Sequence, residues 1–351
     1  MNILIVKLSA VGDVIHTLPS LAALRAYYPH AHITWAIEAA AADLIMDHPH
    51  LDRVIVSHRK RWIDDLKHGR FAGAVKGIKA FRSELRERPY DLVIDFHGLL
   101  KSAVIVLISG GGRKLGYDSL QEGSGLFYNE KIPEDMDRHS VDRYLDFARH
   151  LGVHVQAPEF LIPISRDNEK RIRELLEANG IGPNDPFIAV SPQALWDTKL
   201  WSDQKFAQLS ERIMRELSLP VILTGQDEES TQGLQSFMTL PAVDLAGRTT
   251  LRDLACLYRQ ASLVVTTDSG PMHLAAAVGT PVVALFGPTD PARTGPYGSG
   301  HTVIRRDLTC SPCFLKSCET RRCMQEITVE DVFQAVRKKM EDKKDEKLGG
   351  R

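Results

Sequence analysis

The sequence predicts an α/β protein built from two doubly wound domains. Its 351 residues are more than one ordinary core holds and suit two domains of about 150 to 180 residues each. Short β-branched runs alternate with amphipathic stretches along the chain, which is typical of βαβ units and parallel sheets. A proline-containing connection at residues 157–163 interrupts this alternation, which then restarts. We expect one domain over residues 1–160, a second over 161–328, and a C-terminal helix and tail over 329–351 that packs back toward the first domain.

The alternation predicts each element in turn. In the first half, strands are expected at residues 3–8, 33–37, 54–56 and 92–96. The helices between them are expected at residues 14–28, 74–88 and 140–151. In the second half, strands are expected at residues 188–190, 221–224, 243–245, 263–267 and 282–286. Helices are expected there at residues 167–179, 202–217, 251–258 and 272–278. A last helix should cover residues 329–339, and the charged segment 341–351 should fray.

The composition predicts a folded, water-soluble protein. Hydrophobic residues make up 43% of the chain and charged residues 25%, which excludes disordered, collagen-like and disulfide-scaffold proteins. The first apolar run is broken at Lys7, too early for a signal peptide, so we expect a cytoplasmic protein. No stretch approaches the roughly 18 to 20 uncharged apolar residues that cross a bilayer, so any membrane contact would be peripheral.

A local basic segment underlies the near-zero total charge. The formal net charge is -1, but residues 59–88 hold ten Lys or Arg and four Asp or Glu, a local charge of +6. This segment is either a solvated helix face or a surface for an anionic substrate, an anionic membrane or nucleic acid. Trp62 and Phe71 place apolar surface among the charges, which favours an amphiphile over a nucleic-acid duplex. We expect no nucleic-acid partner.

The junction after the first strand carries a candidate catalytic carboxylate. It contains Gly12 but neither GxGxxG nor Gly-Lys-Ser/Thr, so it is no dinucleotide fingerprint and no Walker loop. Asp13 falls at the predicted start of a helix, where it is either a capping residue or a general base facing a ligand at the carboxyl edge of the sheet. His97 and Lys101 follow the fourth strand and should lie at the same edge.

The second half carries candidate phosphate-binding loops. A buried strand ends in Asp268-Ser269-Gly270, proline follows at a favoured first-turn position, and an alanine-rich helix begins. Such a helix start favours a phosphate or diphosphate. The turn at residues 286–291 lies at the same edge, which makes a nucleotide the expected ligand. Lys199 stands on a loop where it can stabilise a leaving diphosphate, or is simply a solvated lysine. Glu229 follows the next strand, where a carboxylate can bind ribose hydroxyls.

Two other patterns suggest metals but weakly. Asp135 and Asp137 have the DxD spacing of a magnesium or manganese site, yet they lie beside Pro133 and away from any predicted strand end, so we interpret them as surface loop. The cluster Cys310, Cys313, Cys318 and Cys323 suits either a structural zinc ion or an oxidation-prone hairpin, with zinc the less favoured of the two. We expect no catalytic metal.

Five segments together resemble the ADP-heptose:lipopolysaccharide heptosyltransferases, glycosyltransferase family 9, in family order along nearly the whole chain. They are Lys-x-Ser-x-x-Gly-Asp-Val-x-His-Thr-Leu-Pro from Lys7, Asp-Phe-His-Gly-Leu-Leu-Lys-Ser from Asp95, Lys199-x-Trp201, Asp-Ser-Gly-Pro-Met-His from Asp268, and Phe-Gly-Pro-Thr-Asp-Pro from Phe286. The Gly-Asp-Val-x-His-Thr-Leu-Pro form is more similar to heptosyltransferase I than to heptosyltransferase II.

The resemblance implies a fold, an activity and two groups of site residues. The fold is GT-B, two facing Rossmann-like domains with a central cleft, and the activity is inverting transfer of heptose without a required cofactor. The implied donor, ADP-heptose, contacts the second domain through Ser191, Lys199, Glu229, Asp268, Ser269, Gly270 and His273. The implied acceptor, the 3-deoxy-manno-octulosonic acid (Kdo) end of lipid A, contacts the first domain through Lys7, Ser9, Gly12, Arg59, Arg61, His97 and Lys101. Asp13 and Lys199 are the implied catalytic residues.

The resemblance also implies where such an enzyme works, and some alternatives stay open. We expect a monomer in the cytoplasm, in peripheral contact with the anionic inner face of a Gram-negative inner membrane. Heptosyltransferases II and III add later heptoses with the same donor. A nucleotide-sugar 2-epimerase shares the two-domain plan but needs no basic acceptor surface. A non-catalytic nucleotide-sugar binding protein would tolerate loss of Asp13.

Overall fold

The computed structural model describes residues 1–119 and 121–349, with the side chains of the last helix described as far as Lys343. It divides into two compact units, Met1–Pro163 and Ile164–Arg351. Within the described residues, each unit holds a six-stranded sheet whose strands all pair in parallel. The predicted α/β class with parallel sheets is therefore confirmed.

Unit 1 has the sheet order β3-β2-β1-β4-β5-β6. Its strands are β1 (Asn2–Val6), β2 (His32–Glu38), β3 (Arg53–Ser57), β4 (Leu92–Asp95), β5 (Arg113–Tyr117) and β6 (Glu130–Ile132). Its helices are α1 (Val11–Tyr27), α2 (Ala39–Ala42), α3 (Arg59–Lys67), α4 (Phe71–Leu85), α5 (Leu100–Ser109) and α6 (Ser140–His150). The core strands are continuous apolar runs because helices cover both faces of a parallel sheet.

Unit 2 repeats this plan with the order β12-β11-β10-β7-β8-β9. Its strands are β7 (Ile188–Ser191), β8 (Val221–Leu223), β9 (Val243–Asp244), β10 (Leu263–Thr267), β11 (Val282–Leu285) and β12 (Thr302–Ile304). Its helices are α7 (Arg166–Glu177), α8 (Asp203–Arg212), α9 (Glu229–Ser236), α10 (Leu251–Gln260), α11 (Gly270–Ala277), α12 (Pro291–Thr294), α13 (Arg322–Gln325) and α14 (Val329–Gly349).

The last helix is part of the packing of unit 2. Val332, Phe333 and Val336 of α14 are fully buried in the same apolar cluster as the strands β7, β8, β10 and β11. The helix was expected to end at residue 339, but it continues for ten more residues to Gly349. The expectation that the chain frays from residue 341 is therefore wrong for residues 341–349. Residues 350 and 351 of the expected tail lie outside the described residues.

Several elements form that the sequence pattern does not predict. The strands β6 and β12 have only three residues each, and β5 begins with two cationic residues and contains a glycine, so all three lack the apolar run that marks a buried strand. Two of them, β6 and β12, lie at the edges of their sheets. They become strands by pairing with a neighbouring strand when the sheet assembles. Helix α5 contains a run of valine and isoleucine that local propensity assigns to a strand, but its length and packing make it helical.

The sheet order creates one switch point in each unit. In unit 1 the central strands β1 and β4 are neighbours, and Val6 pairs with Asp95 at their carboxyl ends. In unit 2 the central strands β7 and β10 are neighbours, and Ser191 pairs with Thr266. Ligands of doubly wound sheets bind beyond the carboxyl ends of the strands at such points. In each unit, the candidate site residues therefore lie at or near the sheet edge where a ligand is expected to bind.

Candidate active site

In unit 1, the segment after β1 places a carboxylate at the switch point. Asp13 lies in the first turn of α1, and one of its oxygens, Oδ2, accepts a hydrogen bond of 3.2 Å from the Ala10 N–H. Its side chain is still 42% exposed. The capping contact that the sequence allows is therefore present, and it leaves the carboxylate accessible to a ligand.

A buried lysine and a tyrosine hold the other oxygen of this carboxylate. The Lys7 ammonium donates to the Phe96 carbonyl at 2.9 Å and to the Tyr144 hydroxyl at 2.6 Å. The Tyr144 hydroxyl in turn donates to Asp13 Oδ1 at 3.2 Å, and Lys7 Nζ lies 4.0 Å from the same oxygen. These contacts make a chain from ammonium through hydroxyl to carboxylate.

The charges of this chain decide the protonation state of Asp13. Partial burial raises the pKa of Asp13, but the Lys7 ammonium, the Ala10 N–H and the Tyr144 hydroxyl outweigh it, and the pKa lies below its ordinary value. Burial lowers the pKa of Lys7, and the negative charges of Asp13 and Asp95 partly offset this lowering. Asp13 is therefore ionised at neutral pH, the state that a proton acceptor requires.

We expect Tyr144→Phe to move the acidic limb of the rate–pH profile to higher pH. The Tyr144 hydroxyl lowers the pKa of Asp13, so without this hydrogen bond a larger fraction of Asp13 is protonated and inactive in mildly acidic solution. The measurement is the rate of the transfer reaction that the resemblance implies, at saturating substrates and across acidic to neutral pH. Tyr117→Phe is the matched control, because among the described residues its buried hydroxyl has no hydrogen-bond partner. An acidic limb that moves equally in both variants, or in neither, contradicts the role of Tyr144.

The loop after β4 supplies a neutral histidine beside Asp13. Asp95 is fully buried, and its Oδ1 accepts from the backbone N–H groups of His97 and Gly98 at 2.8 and 3.2 Å. Its Oδ2 accepts from the Tyr128 hydroxyl at 2.7 Å. Burial and the Lys7 and Lys101 charges lower the pKa of His97 to about 3. Within the described part of the chain, both buried ring nitrogens of His97 lack a hydrogen-bond partner, so this neutral ring can bind a polar ligand group.

Cationic groups line the same edge of unit 1. Arg59, the first residue of α3, donates through Nε to the buried Glu38 at 2.9 Å. Lys101 of α5 donates to the Ser9 hydroxyl at 3.2 Å. The structure thus brings six predicted residues to the ends of β1, β3 and β4 or to the helices that follow these strands. They are Lys7, Ser9, Gly12, Arg59, His97 and Lys101. Arg61 lies on the exposed surface of α3, and no contact places it with this group.

In unit 2, an aspartate joins two of the predicted donor loops. Asp268 follows β10 and is almost fully buried. Its Oδ2 lies 2.7 Å from Lys199 Nζ and accepts a hydrogen bond of 2.5 Å from the Thr289 hydroxyl. The Lys199 ammonium also lies over the Trp196 ring, 4.6 Å from its centroid. Lys199 is therefore held in place and is not a freely solvated lysine.

Helix α11 begins beside this ion pair. Ser269 is its N-cap residue, and its side chain makes no capping hydrogen bond to the helix. The Ser269 hydroxyl instead lies 3.3 Å from the Thr266 hydroxyl and 3.4 Å from the Thr267 carbonyl, to which it donates. The helix start at Gly270 therefore keeps the positive end of its dipole directed at the strand edge. His273 is buried in the first turns of the same helix.

Two other predicted donor residues lie at the same edge in different settings. Ser191, the last residue of β7, is buried and hydrogen-bonds to Tyr258, whose hydroxyl lies 2.9 Å from the Thr224 hydroxyl. Glu229 is exposed at the first position of α9. Asp227 organises that turn, since its Oδ1 accepts from the N–H and the hydroxyl of Ser230 at 3.0 and 2.7 Å.

The patterns that suggested metals have ordinary surroundings. Asp135 accepts a hydrogen bond from the Asp137 N–H at 3.0 Å in an exposed turn before α6. Cys310, Cys313, Cys318 and Cys323 are all free thiols. In the part of the chain that the structure describes, no three His, Cys, Asp or Glu side chains converge to hold a metal ion.

Comparison with known proteins identifies the family. Residues 78–323 match the family model described as glycosyltransferase family 9 (heptosyltransferase), which covers well over half of the chain. The chain belongs to glycosyltransferase family 9. This family 9 chain is 33% identical over 331 residues to lipopolysaccharide heptosyltransferase 1 of Pseudomonas aeruginosa, covering 91% of this chain and 87% of that protein. It is a glycosyltransferase, as predicted.

Two solved heptosyltransferases have the same fold as this family 9 member. The E. coli heptosyltransferase WaaC, solved with ADP, is 27% identical with a TM-score of 0.76 over 97% of this chain and all 100% of that chain. E. coli ADP-heptose lipopolysaccharide heptosyltransferase II also gives a TM-score of 0.76, over 98% of this chain and 100% of that chain, at 23% identity. The predicted GT-B fold is confirmed.

Sequence patterns do not single out four side chains that organise the candidate residues within unit 1 or within unit 2 of this glycosyltransferase. They are Glu38, Asp95, Tyr144 and Thr289. Asp95 ends β4 and Thr289 lies in the turn after β11, and both belong to segments that carry the family resemblance, so their positions were usable signals. Glu38 and Tyr144 approach their partners only through tertiary packing, and neither their spacing nor their residue type distinguishes them in the sequence.

Proposed function

We propose that this family 9 glycosyltransferase transfers heptose from ADP-L-glycero-D-manno-heptose to a Kdo hydroxyl of the lipopolysaccharide inner core, as a heptosyltransferase I. The observation that carries the proposal is Asp13. It is an accessible carboxylate at the switch point of unit 1, and the Lys7 ammonium and the Tyr144 hydroxyl keep it ionised. The 33% identity to a heptosyltransferase 1 over nearly the whole chain supports the choice of donor and acceptor.

The proposed reaction is a single displacement with inversion. The Kdo hydroxyl oxygen attacks the anomeric carbon of the heptose, and its proton passes to an Asp13 oxygen. The bond between the anomeric carbon and the ADP phosphate oxygen breaks, and ADP leaves with the electron pair. The negative charge thus moves from Asp13 to the leaving diphosphate, so donors that stabilise this diphosphate lower the barrier.

Unit 2 supplies such donors in the proposed mechanism. The Lys199 ammonium is held by Asp268 and the Trp196 ring, and the start of α11 at Ser269 and Gly270 contributes its dipole. These groups stabilise the charge that develops on the leaving ADP, and the proposal includes no required cofactor and no catalytic metal. We propose that Ser191, Glu229 and His273 contact the rest of the donor.

Unit 1 holds the acceptor in the proposed mechanism. Kdo carries a carboxylate, and lipid A carries phosphates, so the cations Arg59, Arg61 and Lys101 suit both groups. The neutral His97 ring offers one donor and one acceptor nitrogen to sugar hydroxyls. We propose that the enzyme works as a monomer in peripheral contact with the inner face of the inner membrane.

The test is ADP release from ADP-heptose with and without Kdo-lipid A. Acceptor-dependent release supports the proposal, and release without acceptor contradicts it. Because WaaC and heptosyltransferase II have the same TM-score to this chain, 0.76, the fold does not distinguish the acceptors, and a second acceptor that already carries one heptose belongs in the assay. Faster transfer to that second acceptor would show that this enzyme adds a later heptose of the core, as heptosyltransferases II and III do. Activity on a UDP-sugar alone would favour a 2-epimerase.

A further inference from the structure

Helices α4 and α5 of unit 1 each expose an apolar stripe. On α4, Phe71, Val75 and Ile78 are spaced as neighbours on one helix face, and each is more than two-fifths exposed. On α5, an equally exposed stripe has the same spacing and consists of Leu100, Val104 and Leu107. Water-soluble proteins normally bury such stripes, so this surface is suited to an apolar environment.

The two helices and α3 form one continuous surface. Helix α4 packs against both α3 and α5. The contact with α3 is close, because the Trp62 ring covers Gly77 and lies 5.5 Å from the Phe81 ring. Helix α3 adds the exposed side chains Ile63 and Leu66. We call α3, α4 and α5 together the apolar-basic surface.

The charges on this surface are mostly unpaired cations. Arg70 forms ion pairs with both Asp64 and Asp65, the two acidic residues of α3. The exposed cations that have no ion-pair partner among the described residues are Lys60, Arg61, Lys67, Lys76, Lys79 and Arg82. Lys79 and Arg82 follow Val75 and Ile78 at a spacing of four residues, so they continue the rows of the apolar stripe.

We infer that the apolar-basic surface binds the surface of an anionic lipid bilayer. Exposed apolar stripes on amphipathic helices insert at the boundary between head groups and acyl chains, and adjacent Lys and Arg side chains bind anionic head groups. Within residues 1–119 and 121–349, no helix combines the length and hydropathy needed to span a membrane, so this contact is interfacial. Phospholipid is the occupant because the surface combines extended apolar area with unpaired positive charge.

This surface gives the proposed reaction a route to its acceptor. The inference rests on the proposed function in one respect, that the acceptor is an acylated sugar embedded in such a bilayer. Lys101 and Arg59, on α5 and α3, belong to both the apolar-basic surface and the candidate acceptor edge. Binding of the bilayer by these helices therefore places the acceptor edge near head-group sugars.

The test is co-sedimentation of the full chain with vesicles. We expect binding to vesicles of phosphatidylethanolamine and phosphatidylglycerol, and little binding to pure phosphatidylcholine vesicles. Phe71→Ser should weaken this binding about fivefold, and the triple variant with Val75→Ser and Ile78→Ser about 100-fold. Lys76→Gln and Lys79→Gln should each weaken it about threefold to fivefold. Phe237→Ser is the matched control, because Phe237 is 55% exposed in unit 2 and Phe71 is 62% exposed.

A second assay separates this inference from the proposed function. The triple variant should transfer heptose normally to a water-soluble, de-acylated Kdo acceptor and poorly to Kdo-lipid A in vesicles. Normal transfer without vesicle binding by the wild type overturns the inference alone, whereas vesicle binding without any transfer overturns the function alone. Circular dichroism shows whether the triple variant is folded. If it is not, vesicle binding by the single Phe71→Ser, Lys76→Gln and Lys79→Gln variants tests the inference instead. If sedimentation velocity shows a dimer that Phe71→Ser dissociates, the surface binds a second copy and the inference is wrong.

Discussion

Asp13→Asn is expected to reduce the rate of heptose transfer about 1000-fold at saturating substrates, because an amide cannot accept the proton of the attacking hydroxyl. The affinity for ADP-heptose should be unchanged, since the proposed donor contacts belong to unit 2. Asparagine keeps an oxygen that can accept the Ala10 N–H, so the capping contact at the start of α1 survives the substitution. Stopped-assay kinetics and calorimetric titration of ADP-heptose check the two halves of this prediction.

The control for Asp13→Asn must remove an aspartate from an equivalent helix position. Asp167 is an exposed residue in the first turn of α7, so Asp167→Asn changes the same type of charge near a helix dipole. This control should leave the rate unchanged and lower the thermal midpoint only slightly, because an exposed acidic residue in the first turn of a helix contributes about 0.3–1 kcal/mol. An Asp13→Asn variant with more than about a tenth of the wild-type rate would show that Asp13 only caps its helix.

Lys199→Met is expected to lower kcat about 100-fold to 1000-fold and to weaken ADP binding, because the diphosphate loses a positioned cation. Methionine conserves most of the apolar stem that lies by the Trp196 ring. The substitution also leaves the nearly buried Asp268 without its ion-pair partner, although Thr289 still donates to it. Both the rate and the melting temperature should therefore fall.

A double variant separates the chemical role of Lys199 from its structural one. Lys199→Met combined with Asp268→Asn removes both charges of the pair, which should restore stability but not the rate. Recovery of the rate in the double variant would mean that Lys199 serves only to neutralise Asp268. Lys316→Met is the matched single control, since the Lys316 ammonium also faces the Trp196 ring, at 5.2 Å from its centroid, but is exposed. Its rate should equal that of the wild type.

For both predictions, the sequence supplies the reacting residues but not the contacts that position them. Asp13, Lys199 and Asp268 each lie in a junction between a strand and the following helix, and such a junction can be recognised from a few neighbouring residues. Their protonation and placement depend on residues far along the chain. Tyr144, which hydrogen-bonds Asp13, follows it by 131 positions, and Thr289 follows Asp268 by 21.

Some elements and contacts could not be predicted, because they depend on residues that are distant in the chain and not on a local pattern. The strands β5, β6 and β12 have no continuous apolar run, and α5 has the β-branched composition of a strand. Arg59 and Arg61 belong to one basic run; Arg59 donates to the buried Glu38, whereas Arg61 lies on the exposed surface of α3. Adjacent residues on a helix point in different directions, and only packing decides which one approaches the strand edge.

By itself the sequence determined the α/β class, the parallel alternation, the family and the identity of the main candidate side chains, because these depend on local periodicity and short spacings. Only the tertiary structure decided that Lys7 and Tyr144 keep Asp13 ionised and that Asp268 positions Lys199. It also showed that the apolar stripes of α4 and α5 are exposed. Burial, electrostatic partners and exposure depend on distances between residues that are remote in the chain, and those distances arise when the sheets assemble.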